Sequence, residues 1–234
     1  MSEQHVHSII LVRHGQTDYN AARRMQGQTD IPLNAVGRWQ AQQTAQTLRH
    51  LYVDAHHSRQ QLIVSSDLDR AYSTAQAFAD VIGVSINTDS RLREREFGEW
   101  EGLTAQQVKE QWPEDYYAWL TSAGGEVKHG AETKAEVGRR GLSALNDWSH
   151  RAGDDTDLFL FTHGSWISQT VQSLMGLSEV HPEGVSLGSI RNAHWVTLIP
   201  RQRSSQDYLW ALLDFNRGPA IAESVDWNNP SAGQ

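Results

Sequence analysis

The chain has no cysteine among its 234 residues, which removes several chemistries at once. Disulfides, thiolate metal sites and a cysteine nucleophile are all excluded. Long apolar runs are missing too. No stretch approaches the roughly 20 residues that a membrane-spanning helix needs. Met1-Ser2-Glu3-Gln4-His5 lacks the charged and hydrophobic regions of a signal peptide. The expectation is a soluble, cytoplasmic protein with no membrane partner. Positive charge is scarce: 20 Lys and Arg against 28 Asp and Glu leave a net charge of −8, which argues against a nucleic-acid partner. An anionic substrate must then be captured by a local group of arginines, against the overall field. Repeats, low-complexity tracts and a clear interdomain linker are absent as well. The sequence therefore predicts a single domain over 1–234, with loose tails at 1–7 and about 217–234.

What is present is an alternation of short apolar runs and amphipathic segments. Ser8–Val12, Leu62–Val64 and Leu158–Phe161 read as buried parallel strands. Helices are expected from about Val36 to Leu51 with Asn34 as N-cap, from Asp67 to near Gly83, over Glu132–Trp148 and over Trp166–Met175. Pro113 and Gly124-Gly125 break the helical middle. Ala193–Ile199 and Tyr208–Phe215 read as an antiparallel hairpin at a sheet edge. The fold class is α/β: a three-layer α/β/α sandwich around a mostly parallel sheet with an antiparallel edge.

The chemistry gathers where strands end. Arg13-His14-Gly15 directly follows the first strand, and His163-Gly164 directly follows the third. In open α/β sheets, ligands bind in the crevice beyond the carboxyl ends of strands. Two imidazoles in the same local setting point to one site. The second strand runs into Ser65-Ser66-Asp67-Leu68-Asp69-Arg70, placing Arg70 in the first turn of a helix. An arginine there opposes the usual preference for negative charge. A salt bridge to Asp67 or Asp69 would explain it, and so would a phosphate clamp, for which guanidinium's planar fork is suited. Cleavage of a phosphate ester also needs an acid for the leaving oxygen. A carboxyl kept protonated by burial or by neighbouring carboxylates can supply one. In Leu92-Arg93-Glu94-Arg95-Glu96-Phe97-Gly98-Glu99-Trp100-Glu101-Gly102 the candidates are Glu94 and Glu96, which spacing alone does not separate. Glu99 and Glu101 read as a solvated face.

Taken together these places resemble the histidine phosphatase superfamily, in its phosphoglycerate-mutase-like branch, from Ile9 to about Ile199. The resemblance implies that His14 is a nucleophile that becomes phosphorylated. It implies a phosphate pocket of Arg13, Arg70 and His163, the latter if protonated. Its Leu-x-Glu-x-x-Phe/Tyr-Gly pattern gives the acid position to Glu94. Asn20 and Gln26 match positions that complete phosphate or substrate contacts. Gly164 and, in the first loop, Arg24 are further candidates for substrate contact. No metal or other cofactor is implied, so the remaining histidines, His56-His57 among them, read as surface residues. The cofactor-dependent mutases of the family carry a long insertion with a proline run after the acid motif. Here Glu101-Gly102 leads straight into Leu103-Thr104-Ala105, which favours a phosphatase over a mutase. A binding-only member is the other alternative, although Arg13, His14, Arg70, Glu94 and His163 are all present. Arg13–Asn20, Arg24–Gln28, Leu62–Tyr72 and Asn192–Trp195 carry a closer likeness to a subgroup that acts on a phosphorylated sugar acid. The implied partner is a small phosphorylated metabolite. A homodimer is a further expectation, with Trp195 and Trp210 serving either as its interface or as core.

Overall fold

The computed structural model describes residues 6–177, 187–204 and 207–230. Six strands form one sheet, ordered β3-β2-β4-β1-β5-β6: β1 (Ser8–Arg13), β2 (Gln60–Ser65), β3 (Ile86–Thr88), β4 (Thr156–Thr162), β5 (Trp195–Ser204) and β6 (Asp207–Arg217). The first four pair in parallel, and β5 and β6 add an antiparallel edge beside β1. The expected class of sheet is what forms.

Alternation along the central strands builds the three layers. Ile9, Leu11, Leu158 and Leu160 face one way and pack with Val137, Leu145, Trp166 and Val171 of α6 (Lys134–Ala152) and α7 (Gly164–Leu174). Ile10, Val12, Phe159 and Phe161 face the other way, against Ala45, Leu48, Ala75 and Phe78 of α2 (Ala35–Leu48) and α3 (Asp69–Ile82). Each such side chain contributes about 1.5–3 kcal/mol on full burial. The helix starts follow local chemistry. Asn34 accepts the Gly37 N–H at 2.9 Å as N-cap of α2, and Gly83 closes α3 in the left-handed conformation.

Several details differ from the sequence reading. Pro113 begins α5 (Pro113–Leu120) rather than only ending α4 (Ala105–Gln111), since a first-turn proline gives up no helical hydrogen bond. A four-residue helix, α1 (Asp18–Ala21), and the short edge strand β3 were too brief to leave a periodic pattern. Beyond Asn216 the chain is not a loose tail. It forms 3₁₀ turns at Ala220–Glu223 and Val225–Trp227 and buries Trp227 against Trp39, Ala193 and Ala222. At the other end Val6 is a core residue; residues 1–5 and 231–234 lie outside the described residues. Trp195 is fully buried and belongs to the core, while Trp210 is partly buried against it.

Candidate active site

Sheet register brings the site together. Arg13 lies opposite Thr162, so the next residues, His14 and His163, leave two adjacent strands side by side, with ring centroids 5.2 Å apart. Ser65 pairs with Phe161 on the far side of β4, and Ser66 reaches the His163 Nε2 at 2.9 Å. From here β1 leads toward the α2 face while β4 leads directly into α7 on the opposite face. The crevice between them is a topological switch point. Gly15 is required by close approach: a Cβ there would lie 2.3 Å from the Gly37 carbonyl oxygen at the start of α2.

His14 is buried, and its Nδ1 lies 2.6 Å from the Gly15 carbonyl oxygen. A carbonyl only accepts, so the proton sits on Nδ1 and Nε2 keeps its lone pair. Burial holds the imidazole well below its ordinary pKa of 6.5, with Arg70 and Arg13 pushing the same way. Neutral His14 is the state a nucleophile needs. His163 is also pushed well below 6.5, first by burial and then by Arg70, His14 and the other arginines. The charge role given to His163 on condition of protonation is therefore not favoured by its setting. The positive charge comes from the guanidinium groups, and His163 is a neutral hydrogen-bonding partner whose buried Nδ1 has no hydrogen-bond partner in the protein.

Both arginines are placed by backbone oxygens. Arg70 is fully buried, donates to the carbonyls of Thr29 (2.9 Å) and Gly27 (2.7 Å), and has its pKa lowered to about 10 by burial. It does not pair with Asp67 or Asp69: Asp67 takes the fork of Arg93 instead. The Gln26 amide, assigned from its hydrogen-bond network, donates to Thr17 Oγ1 and accepts from Arg70 Nε and Nη1 at 2.9 and 3.1 Å. Gln26 thus positions the arginine. Arg13 donates to the Ile190 carbonyl, while its buried Nε has no protein partner. A Cβ on Gly164 would come within 3.2 Å of that Nε, so glycine keeps the guanidinium face open.

Glu94 separates from Glu96 in the structure, because Glu96 is exposed and Glu94 lies at the start of α7. Its carboxylate accepts the N–H groups of Ser165 (3.1 Å), Trp166 (2.9 Å) and Arg95 (2.9 Å). Of the two expected settings, burial or neighbouring carboxylates, the second is not what surrounds it: the charges it acts on are Arg13 and Arg70. Glu101 is not part of a solvated face. It accepts from the backbone of Gln28, Thr29 and Phe97 and anchors the first loop. Asn20 caps α1 through Thr17 and accepts from Asn192 Nδ2 at 3.0 Å. Asn192 also donates to the carbonyls of His14 and Gly15, an unforeseen brace on the nucleophile loop. Arg24 donates to Gly102 O and Gln107, tying that loop to α4 rather than opening onto the histidines. His56 and His57 are exposed, but His194 is buried and His129 sits between Glu99 and Asp115, so neither of these is a surface residue.

Outside Glu94, a cleft of about 890 Å³ borders Arg13 and Gly164 and continues past Phe97, Trp119, Lys134 and Gln169. Arg95, which lines it, forms a buried pair with Glu126 at 2.6 Å.

A doubly wound α/β sheet with a neutral imidazole, the buried Arg70 guanidinium and the half-buried Arg13 at its switch point defines a phosphate-handling enzyme. The chain belongs to the histidine phosphatase superfamily (branch 1), whose family model matches residues 9–211. It is 36% identical over 234 residues to a glucosyl-3-phosphoglycerate phosphatase of Mycolicibacterium vanbaalenii, covering 94% of this chain and 99% of the relative. It is 37% identical over 172 residues to a probable phosphoglycerate mutase GpmB of Yersinia enterocolitica, covering 72% and 75%. Among solved structures, a mycobacterial glucosyl-3-phosphoglycerate phosphatase complexed with VO3 matches with TM-score 0.73 at 33% identity, covering 90% and 98%.

Proposed function

We propose that the protein is a phosphatase that hydrolyses a phosphorylated sugar acid, such as glucosyl-3-phosphoglycerate, through a phosphohistidine at His14. The observation that carries the reading is the His14 tautomer: Nδ1–H bonded to Gly15 O leaves a neutral Nε2 beside the buried Arg70 and the half-buried Arg13. In the first step Nε2 forms a bond to phosphorus as the ester P–O bond breaks. Arg13 and Arg70 stabilise the charge on the transferring phosphoryl oxygens, with His163 hydrogen-bonded beside them. Glu94 gives a proton to the departing alkoxide. In the second step water attacks phosphorus, the N–P bond breaks, and Glu94 takes the water's proton. No step calls for a metal.

The cleft beyond Glu94 suits the rest of such a substrate. Its volume lies within the range usual for small-molecule sites. Lys134 and Arg139 offer cations for a carboxylate, and Ser168, Gln169 and Gln172 offer hydrogen-bonding groups for sugar hydroxyls. A phosphorylated metabolite of this kind is a cytoplasmic substrate, which supports a cytoplasmic location. Exposed Leu209 and Leu213 on edge strand β6 suit a homodimer contact.

Turnover of glucosyl-3-phosphoglycerate, 3-phosphoglycerate and 4-nitrophenyl phosphate at matched concentrations tests the assignment, with and without Glu94→Gln. General acid catalysis contributes about 10²–10⁴-fold, so Glu94→Gln is expected to lose roughly that factor in kcat/KM, which reports phosphoryl transfer to His14, on the alkyl phosphates and far less on the nitrophenyl ester. Equal losses on both would remove Glu94 as the acid. Transfer between sugar acids stimulated by 2,3-bisphosphoglycerate, in place of phosphate release, would favour a mutase.

A further inference from the structure

We infer that Arg140 is a positioning residue for the acid: it acts through Glu94 by fixing the backbone that carries it. Arg140 lies on α6; its hydrogen bonds go to backbone carbonyls and Glu132 rather than to the phosphate-site side chains, although its charge reaches His163. Each of its five N–H donors is used. Nη1 donates to the carbonyls of Arg91 (2.8 Å) and Arg93 (2.6 Å). Nη2 donates to the carbonyl of Glu94 at 3.0 Å and to Glu132 Oε2 at 2.8 Å. Nε completes the fork on Glu132 Oε1 at 2.7 Å. A guanidinium carries five N–H groups in a fixed plane, so this network specifies both the place and the angle of the 91–94 segment.

The segment needs such a clamp, because it has little regular structure of its own. A single 3₁₀ turn covers Ser90–Leu92, and the backbone is irregular from Arg93 to Phe97. Its other carbonyls are held individually: Leu92 O by Thr162 Oγ1, Arg91 O also by Trp166 Nε1, and Glu94 O also by Gln28 Nε2. The Glu94 carboxylate is held from the opposite side, by the N–H groups at the start of α7. Arg140 is thus the backbone half of a two-sided grip, and the N-terminal end of α7 is the side-chain half. A lysine places one charge where the fork serves three carbonyls and a carboxylate, so it cannot reproduce the geometry. Glu132 in turn orients the fork and compensates its charge.

The inference rests on Glu94 being the acid, and a double-mutant cycle separates the two claims. Arg140→Lys, Arg140→Gln and the milder Glu132→Gln are each compared with Glu94→Gln and with the Arg140→Gln/Glu94→Gln pair, on 3-phosphoglycerate and on 4-nitrophenyl phosphate. Folding is checked by circular dichroism and thermal melting, and 4-nitrophenyl phosphate turnover serves as an internal reference for the intact nucleophile. A displacement of about 1 Å from productive geometry can cost roughly 10²-fold. The expected result is a kcat/KM loss of that order for Arg140→Gln on 3-phosphoglycerate, with the nitrophenyl ester within about threefold of wild type. Glu132→Gln should show a smaller loss in the same direction, and Arg140→Lys should not restore the rate. In the pair, the Arg140 substitution should add little to the loss from Glu94→Gln, as for residues that share one function. Multiplicative losses in the pair, or equal losses on both esters for Arg140→Gln and Glu132→Gln, would overturn the positioning role while leaving Glu94 in place. If Glu94→Gln itself shows no dependence on the leaving group, the acid assignment falls and the positioning role falls with it.

Discussion

A histidine attacks phosphorus only when neutral, and burial is the means this protein uses to keep it so. His14 and His163 are held well below pH 6.5, and His194, behind the same loop, is lowered to about 4 by burial. The sign of the consequence differs between activity and stability. Above pH 6.5 these histidines are neutral in both folded and unfolded chains, so their burial costs nothing in protonation. Below it the unfolded chain binds protons that the folded one refuses. Each histidine then removes up to about 1.4 kcal/mol of stability per pH unit, until its own folded value is reached. Urea midpoints should therefore fall steadily as the pH drops through 6.5. Over the same interval, kcat/KM for 4-nitrophenyl phosphate should not show the halving that an ordinary histidine nucleophile gives at pH 6.5. Stability that is flat from pH 7 to 5, or a rate that halves near 6.5, would contradict the neutral-imidazole assignment.

At the scale of elements, the site depends on how closely the loop after β1 meets the start of α2. Gly15 and Gly37 permit a backbone-to-backbone approach that a Cβ would block. Gly15→Ala should cost about 1–3 kcal/mol, the usual range for overpacking, and should also lower kcat, because the same shift moves the carbonyl that fixes the His14 tautomer. An unchanged urea midpoint would argue against the close approach. The elements that were legible in the sequence are those with strong patterns: three apolar runs for β1, β2 and β4, and the amphipathic α3, α6 and α7. Those that were not are short or depend on distant partners. Ile86–Thr88 has three residues and finds its place only by pairing with β2. Glu101 looks solvated in an alternating charge run, yet it holds the N–H groups of Gln28 and Thr29 from the distant first loop. Nothing local to either stretch records those partners.

Across the whole molecule, the chain after the sheet supports the site from behind. Trp227 packs on Trp39 and His194, and its carbonyl accepts from Gln40, whose Oε1 in turn accepts the Gln16 N–H two residues beyond His14. Its Gly, Pro, Asn and Ser content suggested a tail, because one tryptophan carries no periodic signal. Trp227→Ala should cost about 3–5 kcal/mol, the range for emptying a buried aromatic site. Ending the chain at Asn216 should lower both the melting temperature and turnover, and a full-strength enzyme without that segment would contradict the support role. The histidines, Arg13, Arg70 and Glu94 could be named from sequence because they lie in short motifs beside strand ends. Asn192, Ser66 and Arg140 could not, because register and helix packing bring them in from afar. The central claim is that the phosphoryl group passes through His14, and trapping the intermediate tests it most directly. Protein quenched in alkali during turnover of a phosphate ester and digested for mass spectrometry should carry one acid-labile phosphoryl group on the peptide containing His14, with none in His14→Ala. Turnover that persists in His14→Ala, or a phosphoryl group found on another residue, would contradict the account.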